Sequence, residues 1–212
     1  MLFRSRNYLN ANEFARYSSI LRRAGIPGWQ VEHYRPWLAS VLLGLAYLHP
    51  KEFTVLEGAD ESLSHYAKEN GKDIRYLEKV RDQLALIMTG DEHGQVLALR
   101  NLLLHLQGSR QQELDLREAW ASGDPEKFSA LIDSYFARRP DAREILIDRR
   151  NRAWSGTLQS LLESGGTAFV TVGAAHIGGA QGLLSLMCNQ GFTIRRVGEN
   201  GGTDSNACGP KA

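Results

Sequence analysis

The sequence predicts an α/β chain: a mixed or mostly parallel central sheet with an inserted helical lobe, closing in a C-terminal βαβ unit. Three observations predict it. Apolar residues three and four apart fill the stretches near 10–50 and 79–164, the period of helices. Short β-prone runs bounded by turn residues fall near 53–57, 73–78, 167–173 and 192–197. The last two runs flank a helical pattern over about thirty residues, the length of a right-handed βαβ crossover.

Each element has its own local reason. Asn12 can cap a helix bearing Phe14, Tyr17 and Leu21, stopped by Gly25 and Pro27. Pro36 suits the first position of a second helix, apolar from Trp37 to Leu48 and ended before Pro50. Phe53-Thr54-Val55-Leu56 reads as a strand. Glu61 to Glu69 reads as a helix stopped at Asn70-Gly71. Asp73-Ile74-Arg75-Tyr76-Leu77 alternates apolar and polar residues as a half-buried strand does.

The middle is helical: Val80 to Met88, Gln95 to Leu106, Leu114 to Ala121 and Glu126 to Ala137, with Ser122-Gly123-Asp124-Pro125 as loop and cap. Pro140 opens a longer helix through Ile145, Leu146, Trp154, Leu158 and Leu161, ending at Gly165-Gly166. Thr167 to Val172 is a nearly continuous β-prone run, as in a strand buried on both faces. Gly178-Gly179 lead into a helix with Leu183, Leu184, Leu186 and Met187, and Phe192 to Val197 is a last strand. The Gly/Asn/Ser-rich residues 198–212 read as a disordered tail.

The 212 residues suit one domain, with enough chain to bury a core without a disulfide or metal. With 25 Lys+Arg against 24 Asp+Glu, the formal charge of +1 gives no electrostatic case for nucleic acid. The apolar stretch Trp37–Leu48 is too short to span a bilayer. The N-terminus shows no signal peptide, so the chain as written reads as cytoplasmic. Cys188 and Cys208 lack zinc-site spacing; a bridge between them is compatible with the sequence but not indicated by it.

The sharpest candidate for chemistry is Gly173-Ala174-Ala175-His176-Ile177-Gly178-Gly179. It puts a histidine just past a predicted buried strand and at the mouth of a helix, where ligands of open α/β sheets gather. Small residues such as Gly173 allow close backbone approach, and a helix N-terminus favours negative charge. The field there keeps the His176 ring available as a base or metal ligand. The plainer alternative is a capping histidine in a tight turn. If the first two strands run parallel to the Phe169 strand, Asp60 and Glu78 share that edge. Beside a histidine, carboxylates orient the ring, bind metal or move protons; otherwise they cap the helices that follow them. In Arg149-Arg150-Asn151-Arg152, Arg152 and Asp148 stand at i,i+4 and can pair on a solvated face. Arg150 and Asn151 point elsewhere, so they can reach the site; a wholly solvated charge run is the competing reading. His33, His49, His65, His93 and His105 show no metal-ligand spacing.

An ordered set of short motifs resembles the TraB/GumN family, which is related to the Tiki metalloproteases and, in fold, to erythromycin-esterase and ChaN-like proteins. Gly58-Ala59-Asp60, Ala67, Gly71-Lys72, Leu77-Glu78 and Gln83 match one block; Trp120 with Gly123-Asp124 a second; Arg150-Asn151 with Trp154 a third. Val172-Gly173-Ala174-Ala175-His176-Ile177-Gly178-Gly179, Gly182-Leu183-Leu184 and Gly191-Phe192 match the closing motif.

The resemblance implies a metal-dependent, peptidase-like hydrolase using a divalent ion such as manganese or cobalt, acting on a peptide or small molecule. In it His176 is metal ligand or base, Glu78 and Arg150 are catalytic, and Asp60, Asn151 and Gly173 are binding residues. The family pattern has a second Gly-x-x-His and an early strand-end acid, which this sequence lacks. Residues 1–197 are therefore expected to be a single incomplete domain, either N-terminally truncated or a degenerate copy, weakly active or inactive, with a sheet edge open to self-association. A signal on a missing N-terminus would make it extracytoplasmic. A non-catalytic binding or regulatory module is the alternative.

Overall fold

The computed structural model describes residues 5–48, 58–88, 90–137, 139–197 and 203–208. It is mostly helical, and among the described residues the central α/β sheet expected from the sequence is not formed. The helices are α1 (Ala11–Arg23), α2 (Gly28–Val31), α3 (Pro36–Leu48), α4 (Ala59–Glu69), α5 (Val80–Ile87), α6 (Glu92–Ala121), α7 (Pro125–Phe136), α8 (Pro140–Arg143), α9 (Arg149–Glu163) and α10 (Leu183–Asn189). The described strands are β1 (Ile194–Val197) and β2 (Thr203–Cys208), paired antiparallel with Val197 opposite Thr203. The chain divides into two compact units, Met1–Leu114 and Asp115–Ala212.

In the first unit, α1 begins two residues earlier than the sequence suggests. Asn10, not Asn12, is its cap: the Asn10 side chain accepts from the Glu13 amide at 2.9 Å and Glu13 accepts from the Asn10 amide at 2.8 Å. This reciprocal box satisfies two amides that a helix start leaves unpaired. Tyr17 and Leu21 of α1, Val31 of α2, Ala39 and Leu43 of α3, and Leu99, Leu103 and Leu106 of α6 form one buried cluster with Leu9. Arg100 fastens the N-terminal segment to α6 by donating to the Tyr8 carbonyl at 2.7 Å. The two helices expected at Gln95–Leu106 and Leu114–Ala121 are one, α6. The intervening residues are mostly good helix formers, and the lone Gly108 costs a helix only about 1 kcal/mol.

Two expected strands need correction, and a third, at 53–57, lies outside the described residues. Asp73 to Glu78 is irregular, and Tyr76 in its middle is 80% exposed. Thr167 to Gly173 is likewise unassigned to any strand, and Phe169 is 81% exposed. β-propensity measures fit to a pleated, half-buried surface and supplies no ladder by itself. Without a paired strand at 167–173 there is no βαβ crossover, and among the described residues the sheet edge invoked for self-association is not formed. The last expected strand is present as β1, but its partner is β2, within residues expected to be a disordered tail. Cys188 on α10 is disulfide-bonded, and the sequence holds one other cysteine, Cys208.

In the second unit Asp124 caps α7, accepting from the amides of Glu126 and Lys127 at 3.0 and 3.1 Å, with Pro125 in the first helical position. The predicted helix from Pro140 is present in three pieces: α8, a π-helical turn at Glu144–Asp148, and α9. Ile147, Trp154, Leu183 and Met187 are buried in this unit, which packs α10 on α9.

Candidate functional site

The second unit assembles a polar cluster around His176. The ring lies on a short 3₁₀ turn, Ala174–His176, and is only 7% exposed. Two neighbours come from α9. Asn151 is completely buried, and Arg150 is half-buried. Asn151 and His176 are 2.6 Å apart, Oδ1 to Nδ1. The other end of the same amide, Nδ2, donates to the Gln181 carbonyl at 2.7 Å. A carbonyl can only accept, so this second bond fixes which way the amide faces. Oδ1 therefore faces His176, and Nδ1 must carry the ring proton as donor. In the neutral ring Nε2 is left as the acceptor.

Arg150 occupies that acceptor. Its Nη1 donates to the Leu146 carbonyl at 2.8 Å and lies 3.3 Å from His176 Nε2. The guanidinium carbon stands 4.6 Å from the Trp154 ring centre, within cation–π range. Trp154 in turn lies 4.5 Å from the His176 ring. One turn of α9 thus supplies an orienting amide, a cation and an aromatic wall to one imidazole. The π-helical turn immediately upstream is a feature that clusters at functional sites. Apolar periodicity does not reveal it.

The turn carrying His176 is seated on α7. Gly178 sits so close to Pro125 that a Cβ there would run into the Pro125 carbonyl. Gly179 has φ +80°, a Cβ there would meet the Ser129 hydroxyl, and its amide donates to Glu126 at 3.2 Å. These two glycines are required by close approach and, at Gly179, by a left-handed backbone. Gly173 differs: its φ is −60° and an added Cβ would meet only the His176 ring edge, at 3.8 Å.

The i,i+4 pairing predicted for Asp148 and Arg152 is replaced by others. Asp148 is buried and paired with Arg143 at 3.2 Å, Arg143 also pairs with Asp133, and Arg152 pairs with Glu144. The π turn brings Arg143 and Asp148, five residues apart, onto one face, a pair that spacing counted on a regular helix misses.

The predicted carboxylates belong to the other unit. Asp60 is exposed in the first turn of α4, where an acid favours the helix dipole, while Gly58 is the cap. Glu78 precedes Lys79, the cap of α5, and accepts from Gln83 Nε2 at 2.6 Å. It lines an open depression with Tyr76, Leu77 and Val80. The strand expected to carry Glu78 at its end is not formed, and the one expected before Asp60 lies outside the described residues.

A divalent ion needs several oxygen or nitrogen donors converging with lone pairs turned inward. Among the described residues no group of three or more His, Cys, Asp or Glu is placed to hold one. At His176 one ring nitrogen carries a proton toward Asn151 and the other faces a guanidinium. This donor arrangement does not fit a metal ion.

The model of the TraB/PrgY/gumN family matches residues 4–196, and the chain belongs to that family. No similar curated protein and no similar solved structure was found. No described helix is long and apolar enough to cross a membrane.

Proposed function

We propose that this chain is a hydrolase in which His176 acts as the proton acceptor and Arg150 stabilises negative charge on the substrate. The observation that supports it is the hydrogen-bonded series Gln181 carbonyl, Asn151, His176, Arg150. An oriented neutral imidazole is the usual acid–base group near neutral pH, and its second nitrogen must be held in one tautomer to serve. Asn151 does this for His176. A guanidinium beside the acceptor nitrogen is suited to an oxyanion that develops as a carbonyl is attacked. Peptides and esters share that chemistry and are the substrate classes proposed, in line with the resemblance.

The metal dependence expected from the resemblance has no ligand set among the described residues, so no step is routed through an ion. The test is hydrolysis of peptide and ester panels by the full chain, with and without a chelator, and by His176→Ala. The expected result is chelator-resistant activity that falls at least a hundredfold in His176→Ala, the scale of general acid–base catalysis, about 10²–10⁴-fold. Activity abolished by chelation and restored by manganese or cobalt would return the metal reading.

The second reading is a non-catalytic binding or regulatory module. The exposed position of Asp60 and the local pairing of Glu78 with Gln83 favour it. Function unchanged in a folded His176→Ala variant would support it.

A further inference from the structure

We propose that the buried Arg143–Asp148 ion pair is a positioning clamp for His176. It holds the π turn at Glu144–Asp148, and that turn sets the rotation at which α9 delivers Asn151 to the ring. The inference rests on the His176-centred reading above and adds Arg143 and Asp148 to it as positioning residues.

Residues 140–163 run as one helical stretch that changes pitch near its start. The Arg149 amide donates to the Glu144 carbonyl, five residues back, where a regular helix bonds four back. The turn therefore takes up one residue more than an α turn does. One residue of an α-helix is about 100° of rotation. Tightening this turn to α geometry would rotate all that follows by about 100° against α8. Asn151 lies three residues past the turn, completely buried, with both ends of its amide engaged. A rotation of that size carries it off His176 Nδ1 and the Gln181 carbonyl together.

A π turn is rare, so something must favour it over a regular turn. Two ion pairs span this one. Arg152 with Glu144 is about half exposed on both sides, and such pairs contribute little. Arg143 with Asp148 is different. Arg143 Nε donates to both Asp148 oxygens, at 3.3 and 3.2 Å, and both side chains are largely buried. On a regular helix residues five apart stand about 140° apart around the axis, on different faces. The pair and the π turn therefore support each other.

The clamp also has a footing. Arg143 pairs with Asp133 on α7, the helix that seats the His176 turn through Pro125 and Glu126. The π turn itself packs against the 3₁₀ turn that bears His176. The ring and the amide that orients it are thus referred to one helix. The ring is tied to α7 through its glycine turn, and the amide through Asp133, Arg143 and Asp148.

The test is nuclear magnetic resonance of the ¹⁵N-labelled full chain at about pH 8, above the ordinary histidine range. Wild type, Asp148→Ala, Asp148→Asn and Glu144→Gln are compared. In the wild type His176 Nδ1 is expected at its protonated position and the Asn151 side-chain amide protected from exchange. In Asp148→Ala, Nδ1 is expected to leave that position toward the average of the two tautomers, with loss of protection at Asn151. Asp148→Asn keeps an acceptor for Arg143, so both signals are expected to move less, in the same direction; it serves if the alanine variant does not fold. Glu144→Gln breaks only the exposed pair and leaves both signals in place.

A folded Asp148→Ala with both signals at their wild-type positions would overturn the proposal. A merely stabilising ion pair gives that result, with a lower urea midpoint and an unchanged ring. Wild-type positions in Asp148→Asn would count the same way if the alanine variant does not fold, and so would an equal movement in Glu144→Gln. The readout does not require turnover. A moved ring in Asp148→Ala without hydrolysis by the wild type would remove the hydrolase reading and keep the clamp. His176-dependent hydrolysis with a ring that Asp148→Ala leaves unmoved would do the reverse.

Discussion

Replacing Asn151 by alanine tests whether the His176 cluster is a built element of the second unit. Asn151 is completely buried and makes two short hydrogen bonds, one to His176 Nδ1 and one from Nδ2 to the Gln181 carbonyl. Truncation leaves both partners without that amide. A buried polar group deprived of its partner costs about 1–3 kcal/mol. Gln181 is exposed, so its carbonyl can recruit water and contributes toward the lower bound. His176 is 7% exposed and cannot do so as easily. The expected loss is therefore about 2–4 kcal/mol, a large part of the roughly 5–15 kcal/mol that holds a domain together. Urea unfolding followed by tryptophan fluorescence is the assay, because Trp154 lies tilted 4.5 Å from the His176 ring and reports locally. The two units can unfold separately, so far-UV circular dichroism is recorded in parallel to locate the transition. A loss under about 1 kcal/mol would mean that the amide is not holding the ring, and the tautomer argument would fall with it.

Four further outcomes are expected. Gly178→Ala should loosen the second unit and lower its melting temperature clearly, since the new methyl meets the Pro125 backbone, while Gly173→Ala should change stability by no more than about 0.5 kcal/mol. Asp148→Ala removes the buried partner of Arg143, and denaturant titration should show a loss of about 3 kcal/mol, the low end for a broken buried pair because Asp133 remains on Arg143. Tyr8 should titrate above an ordinary tyrosine, because its hydroxyl donates to Glu92 at 2.6 Å and ionisation would forfeit that bond and place two negative charges together. A folded-state pKa above the unfolded one stabilises the fold below the unfolded pKa and loses that contribution as pH rises through the folded one; absorbance at 295 nm should show the late tyrosine, and Tyr8→Phe should abolish it. Phe169→Ala should cost less than about 1 kcal/mol by thermal melting, because the ring is 81% exposed; about 3–5 kcal/mol would be the cost in a buried strand.

Helices were legible in the sequence because their signals are local. Pro36, the Asp124-Pro125 pair and the glycines after α9 each act within one turn, and α3, α7 and α9 are placed accordingly. Asn10 was missed because two asparagines stand two residues apart, and the decisive feature is which has Glu three residues on; for Asn10 that is Glu13. Strands were not legible in the same way. Asp73–Leu77 and Thr167–Val172 have the composition of strands, but a strand exists only with a neighbour to bond, and composition carries no information about the neighbour. The pairing that does form uses Thr203–Cys208, whose polar residues give no strand signal.

The site follows the same division. Arg150, Asn151 and His176 could be named from sequence because two are adjacent on a helix and the third sits in a glycine turn, each a local pattern. Their meeting depends on packing, and here the turn at Gly178 and Gly179 against α7 decides it. What the sequence could not supply is the sense of the contact. A histidine followed by small residues suggests an open ring waiting for a ligand, whereas the folded chain covers one nitrogen with an amide and the other with a cation.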